Sequence, residues 1–84
     1  MGNLEKLYRK ALSAPNNLDF GELCALAEGA GFVLRKGKSG SSHSVYKHPL
    51  ISELLTLQSR SGKAKPYQVR QLLGLIEEHE LIEG

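Results

Sequence analysis

The sequence predicts an α+β fold, a three-stranded antiparallel meander covered on one face by helices. Three observations carry that prediction. Apolar residues recur at helical spacing near both ends of the chain, short stretches rich in β-formers occupy the middle, and the two kinds are segregated in the order helix, helix, strand, strand, strand, helix. With 84 residues, the chain makes one domain, spanning 1–84, with a small core and a large wet surface. No internal repeat, linker or second domain is visible, and a deep enclosed site is not expected.

Each element has its own signal. Leu4, Leu7, Tyr8, Ala11 and Leu12 follow Asn3, a good N-cap, at amphipathic spacing, which predicts a helix over 4–13 ended by Pro15-Asn16-Asn17. Asp19 followed by Glu22 resembles a capping box, and Phe20, Leu23, Ala27 and Ala30 form the apolar stripe of a second helix, stopped by Gly29 and Gly31. Residues 32–36, 42–48 and 54–59 contain β-formers and are separated by Gly, Ser and Pro, so they read as three strands. Pro66 suits the first turn of a last helix, where its missing N–H costs nothing, with Val69, Leu72, Leu73 and Ile76 as the buried face. Gly74 weakens that helix, and Glu77, Glu78 and Glu80 sit at the unfavourable end of its dipole, so its end is expected to fray or to meet a basic partner.

Composition excludes several classes. The apolar runs fall far short of the roughly 20 residues needed to span a bilayer, and the N-terminal stretch lacks the apolar core of a signal peptide, so a cytoplasmic protein is expected. The single Cys24 lies among Leu23, Ala25, Leu26 and Ala27 and reads as a small apolar filler. No metal site is expected either: His43 and His48 fall on opposite faces of an alternating strand, with no nearby carboxylate or cysteine to complete a ligand set. His79, in the acidic last helix, is expected to face solvent, and His48, before Pro49, to help end its strand.

The net charge of +2 hides a strong asymmetry. Between Arg35 and Arg70 stand eight cations and one anion, Glu53, whereas both flanks are net acidic. Cations gathered on one surface bind a polyanion, because each phosphate neutralised releases counterions. The alternative is a set of merely solvated lysines. The residues that would contact such a polyanion are Arg35, Lys36, Lys38, Ser41, Ser42, Lys47, Arg60, Lys63 and Lys65.

His43 ends the basic glycine-serine stretch from Arg35 to Ser42. Its unperturbed pKa lets a histidine both give and take a proton near neutrality. Cleaving RNA needs no external nucleophile: the ribose 2′-OH attacks the adjacent phosphorus once a base removes its proton, and an acid protonates the leaving oxygen. Lys38 and Lys47, with backbone N–H groups of the loop, would stabilise charge on the phosphoryl oxygens. Ser41 and Ser42 would bond a phosphate, although serine before a strand is also ordinary loop chemistry. The bland reading of His43 is a hydrogen-bonded histidine at the rim of the core. Tyr46 and Tyr67 would either stack on bases beside Lys47 and Lys65 or fill the core and its rim. A serine-hydrolase site is not expected, since Ser42 and His43 diverge on a strand and no orienting carboxylate is near.

Across roughly residues 18–77 the chain resembles the HicA family of toxin ribonucleases from bacterial toxin–antitoxin pairs. The resemblance lies in Phe20 to Leu23 opening a helix, Ala30-Gly31-Phe32 leading into a strand, the basic loop ending in His43, Val45-Tyr46-Lys47-His48-Pro49, and Lys65-Pro66 opening the last helix. It implies a double-stranded-RNA-binding-domain-like fold, metal-independent cleavage of mRNA without a cofactor, a HicB-like antitoxin partner, and His43 as the catalytic residue. The family's Gly-Ser-His triplet reads Gly40-Ser41-Ser42-His43 here, with one serine more, and the helix over 4–13 is an addition. A non-catalytic RNA-binding module using the same cations is the rival expectation, and a protein-interaction domain with an incidental basic stripe is a third.

Overall fold

The computed structural model describes the backbone of residues 2–37 and 43–82, and within these the side chains of all but residues 2, 3, 36, 37 and 43. Among the described residues it contains helices α1 (Gly2–Ser13), α2 (Phe20–Gly29) and α3 (Pro66–His79), a short 3₁₀ turn at Pro15–Asn17, and strands β1 (Val33–Gly37), β2 (His43–His48), β3 (Ile51–Arg60) and β4 (Lys63–Ala64). The strands form one antiparallel sheet in the order β1-β2-β3-β4, so the expected meander gains a fourth, two-residue strand.

Alternation along the strands separates two faces. Tyr46 and His48 on β2 and Leu55 and Leu57 on β3 are buried, while Lys47, Leu54 and Thr56 are exposed. The buried face packs with Leu23, Leu26 and Ala27 of α2 and Val69, Leu72, Leu75 and Ile76 of α3 into one core. Leu75, not the half-buried Leu73, completes the inner stripe of α3. Helix α1 starts before Asn3, whose expected role as N-cap is replaced by a helical one. It adds Ala11 to the core and is tied to α2 by Lys10, whose ammonium lies 2.8 Å from a Glu22 carboxylate oxygen.

The capping box is present at the start of α2: Glu22 accepts the Asp19 N–H at 3.0 Å. The helix ends in a Schellman motif, with Phe32 N–H donating to Ala27 O and Gly31 N–H to Glu28 O, both at 3.0 Å. Gly31 takes the left-handed position, φ +103°. Gly29, by contrast, remains helical. At the opposite end of the sheet the β3–β4 turn carries two consecutive positive φ values, Ser61 at 52° and Gly62 at 80°, the pattern of a two-residue type I′ hairpin. That hairpin creates β4 and is stitched to the start of α2 and the residues leading into it through Phe20 N–H to Gly62 O and Ala64 N–H to Leu18 O, both 3.0 Å.

Candidate nucleic-acid interface

The register of the sheet decides which of the sequence-selected residues meet. His43 opens β2 directly opposite Gln58 of β3. On the other side of β2, Lys36 lies opposite Val45 and Gly37 opposite Ser44, with a bulge between Leu34 and Lys36 that leaves exposed Arg35 without a partner in the ladder. The basic end of β1, the start of β2 and the end of β3 therefore share one end of the sheet. Lys38, Ser41 and Ser42, and the His43 side chain, lie outside the described residues.

Gln58 joins that end to the start of α3. Its backbone N–H donates to Gln68 Oε1 at 2.9 Å, and its own Oε1 accepts from Lys65 Nζ at 2.7 Å. Gln68 is buried and also donates Nε2 to the Tyr67 hydroxyl at 3.3 Å. The local sequence dictates this placement: Pro66 starts the helix, so Lys65 is fixed as the last extended residue, and Gln68 lies four residues before Leu72 on the inward stripe. A buried amide needs partners, and the strand end and the tyrosine supply them. Neither glutamine is conspicuous in the sequence. The available signal was a polar residue at an apolar position of the stripe, Gln68, Leu72, Leu75 and Ile76.

Beside this network an open groove of about 430 Å³ is lined by Arg60, Ser61, Lys63, Lys65, Pro66 and Tyr67. Arg60 and Lys63 are directly paired across the hairpin. Lys63 is neutralised by Asp19 at 2.9 Å; its hydrogen bond holds the Asp19 carboxyl below the usual range, and Asp19 in turn raises Lys63. Arg60 and Lys65 have no carboxylate partner among the described residues.

Lys47 does not join the group. It stands opposite Val33, four residues along β2 from His43, or roughly 13 Å at the strand rise. Tyr46 is likewise removed, being buried in the core with its hydroxyl donating to Glu28 at 3.4 Å. Burial pushes the Tyr46 phenol and the nearby Cys24 thiol up, so neither ionises readily, and Cys24 packs against the core as expected. His48 is a core residue: Nδ1 accepts the Leu50 N–H at 3.0 Å, which leaves Nε2 to donate to Ala30 O at 3.2 Å, and the ring meets Phe32 edge-on at 5.1 Å. Exposed His79 lies 3.5 Å from Glu78. Among the described residues no three His, Cys, Asp or Glu side chains gather as a metal-binding group, and no helix is long and apolar enough to cross a membrane. No protein-family model, curated protein or solved structure matches the chain.

Proposed function

We propose that the chain is a HicA-like toxin endoribonuclease of a type II toxin–antitoxin system, a cytoplasmic enzyme that cleaves mRNA through His43. The observation that carries the reading is the pairing of His43 with Gln58, the residue whose side chain holds the Lys65 ammonium. A candidate proton-transfer residue and an unneutralised cation are thereby assigned to one end of the sheet, where phosphodiester chemistry needs both. The run α2, β1, β2, β3, α3, with helices on one sheet face, supports the double-stranded-RNA-binding-domain-like assignment, with α1 as the addition.

In the proposed reaction His43 takes the proton of a ribose 2′-OH. The oxygen attacks the adjacent phosphorus, a 2′,3′-cyclic phosphate forms as the bond to the 5′-oxygen of the next nucleotide breaks, that oxygen takes a proton from water, and His43 returns its own to solvent. Lys65 supplies the positive charge facing the phosphoryl oxygens, a role that distance along β2 takes away from Lys47. Lys36, Lys38 and Arg60 hold the flanking backbone, joined by Lys63 where a phosphate displaces the exposed Asp19, Arg35, Ser41 and Ser42 complete the RNA contacts, and a HicB-like antitoxin silences the enzyme by covering this end.

A non-catalytic RNA-binding module is the second reading, favoured by the cation-lined groove, which does not depend on His43. Product chemistry separates the two. In chelator, a short mRNA fragment is expected to yield 2′,3′-cyclic phosphate and 5′-hydroxyl ends, and the same RNA with deoxyribose at the scissile nucleotide is expected to bind and stay intact. Products with 3′-hydroxyl ends, or cleavage of the deoxy-substituted strand, would remove the 2′-OH mechanism. Binding without any cleavage would leave the module.

A further inference from the structure

We propose that the groove between the β3–β4 turn and the start of α3 is a single-strand subsite, which stacks one unpaired RNA base on Tyr67 and takes the adjoining phosphate on Arg60 and Lys65. The inference rests on the RNA reading above and adds to it the class of RNA accepted.

Tyr67 is 60 % exposed, although aromatic rings are large hydrophobic surfaces that small domains ordinarily spend on their cores, as this one spends Tyr46. It is also held in place. Gln68, only 4 % exposed and fixed to the end of β3 through the Gln58 N–H, donates its amide to the Tyr67 hydroxyl. A tethered aromatic loses little side-chain freedom when a ligand covers it.

The cations around the ring tell the same story. Arg60 and Lys63 face each other across a two-residue hairpin, where like charges are destabilising, and Asp19 neutralises only Lys63. A phosphate beside Arg60 and Lys65 supplies the negative charge that neither receives from a carboxylate among the described residues. At about 430 Å³ the groove has the volume of a small-ligand site, enough to receive a nucleotide unit. In a duplex both faces of every internal base are already stacked, so the ring has nothing to receive. In a single strand each base offers a π-face.

The test uses fully 2′-O-methylated RNA, which cannot be cleaved through its 2′ oxygen, so that binding is read apart from catalysis. Fluorescence anisotropy is measured with a ten-nucleotide single strand and with the same strand in a duplex. Wild-type protein is expected to bind the single strand more tightly. Tyr67→Ala should weaken single-strand binding about 5- to 100-fold, the loss of one stacked base, with duplex binding unchanged, and Tyr67→Trp should restore it. Unchanged single-strand affinity in Tyr67→Ala, or equal losses on strand and duplex, would overturn the subsite while leaving the ribonuclease reading standing. Wild-type protein that binds neither RNA would overturn both, and would point to an acidic protein as the groove's occupant.

Discussion

Strand β2 has two unlike ends, each marked by a histidine. At the His48 end every polar atom of the ring is bonded, Phe32 packs against it, and Gly31 lies so close that there is no room for a β-carbon between them. At the His43 end Arg60 and Lys65 lack carboxylate partners among the described residues and Tyr67 stands out in solvent. The first end lowers the energy of the fold; the second leaves charge without a carboxylate partner among the described residues and ring surface in solvent. Neighbouring elements, not the strand itself, decide whether a histidine is taken into the core, as Phe32, Ala30 and Leu50 take His48.

If the comparison is right, damage at the two ends has different symptoms. The largest loss of stability is expected from Gly31→Ala. Its φ of +103° is unfavourable for any other residue, and an added β-carbon would lie 2.7 Å from His48 Nε2. Together these should cost about 3 kcal/mol, which for a domain of this size lowers Tm by more than roughly 10 °C. A melt within a few degrees of wild type would mean that the ring and the turn relax cheaply.

Gln68→Leu should cost less, about 2 kcal/mol, because it leaves the Gln58 N–H in a partly buried place without an acceptor. Unlike the glycine change, it also frees Tyr67 and the end of β3, so cleavage and single-strand binding should fall even at temperatures where the variant is fully folded. Normal activity per folded molecule would show that the two glutamines serve packing alone.

The smallest effect is expected in acid. Lys63 depresses the Asp19 pKa and Lys10 depresses that of Glu22, so both carboxylates stabilise the fold above the ordinary carboxylate range, and that contribution is lost as pH falls through their lowered values. The pairs are exposed and the gain is modest. Asp19→Asn should therefore lower Tm slightly at neutral pH and flatten its decline below about pH 4; an unchanged acid slope would show that the Lys63 pair contributes nothing.

Much of this architecture is legible in the sequence. Asp19 and Glu22 announce the start of α2, Pro66 that of α3, and Gly31 the end of α2, because caps, imino acids and positive φ act through near neighbours. The meander order follows from segregated periodicities. The extent of β3 does not: Ile51 pairs with His48 and Leu55 with Tyr46, and Ser52, Glu53 and Leu54 between them belong to the strand through an irregularity of register that no sequence period shows. Strand β4 exists because Ser61 and Gly62 fold back, and two residues carry no period to read. The candidate site divides in the same way. A basic stretch around His43 and later cations are visible in the chain, but which of them share an end of the sheet depends on register. Register separates Lys47 from the His43 end and buries Tyr46, while the docking of α3 leaves Tyr67 exposed and brings Gln68 to Gln58.

The two histidines provide the most direct test. His43→Ala and His48→Asn are compared for Tm and for RNA cleavage per folded molecule. His43→Ala should keep the wild-type Tm and much of the RNA affinity and lose about 10²- to 10⁴-fold in cleavage, the contribution of a positioned acid or base. His48→Asn should keep cleavage and lose about 1–3 kcal/mol of stability with the ring's packing and its bond to Ala30. Cleavage at the wild-type rate by folded His43→Ala would contradict the account.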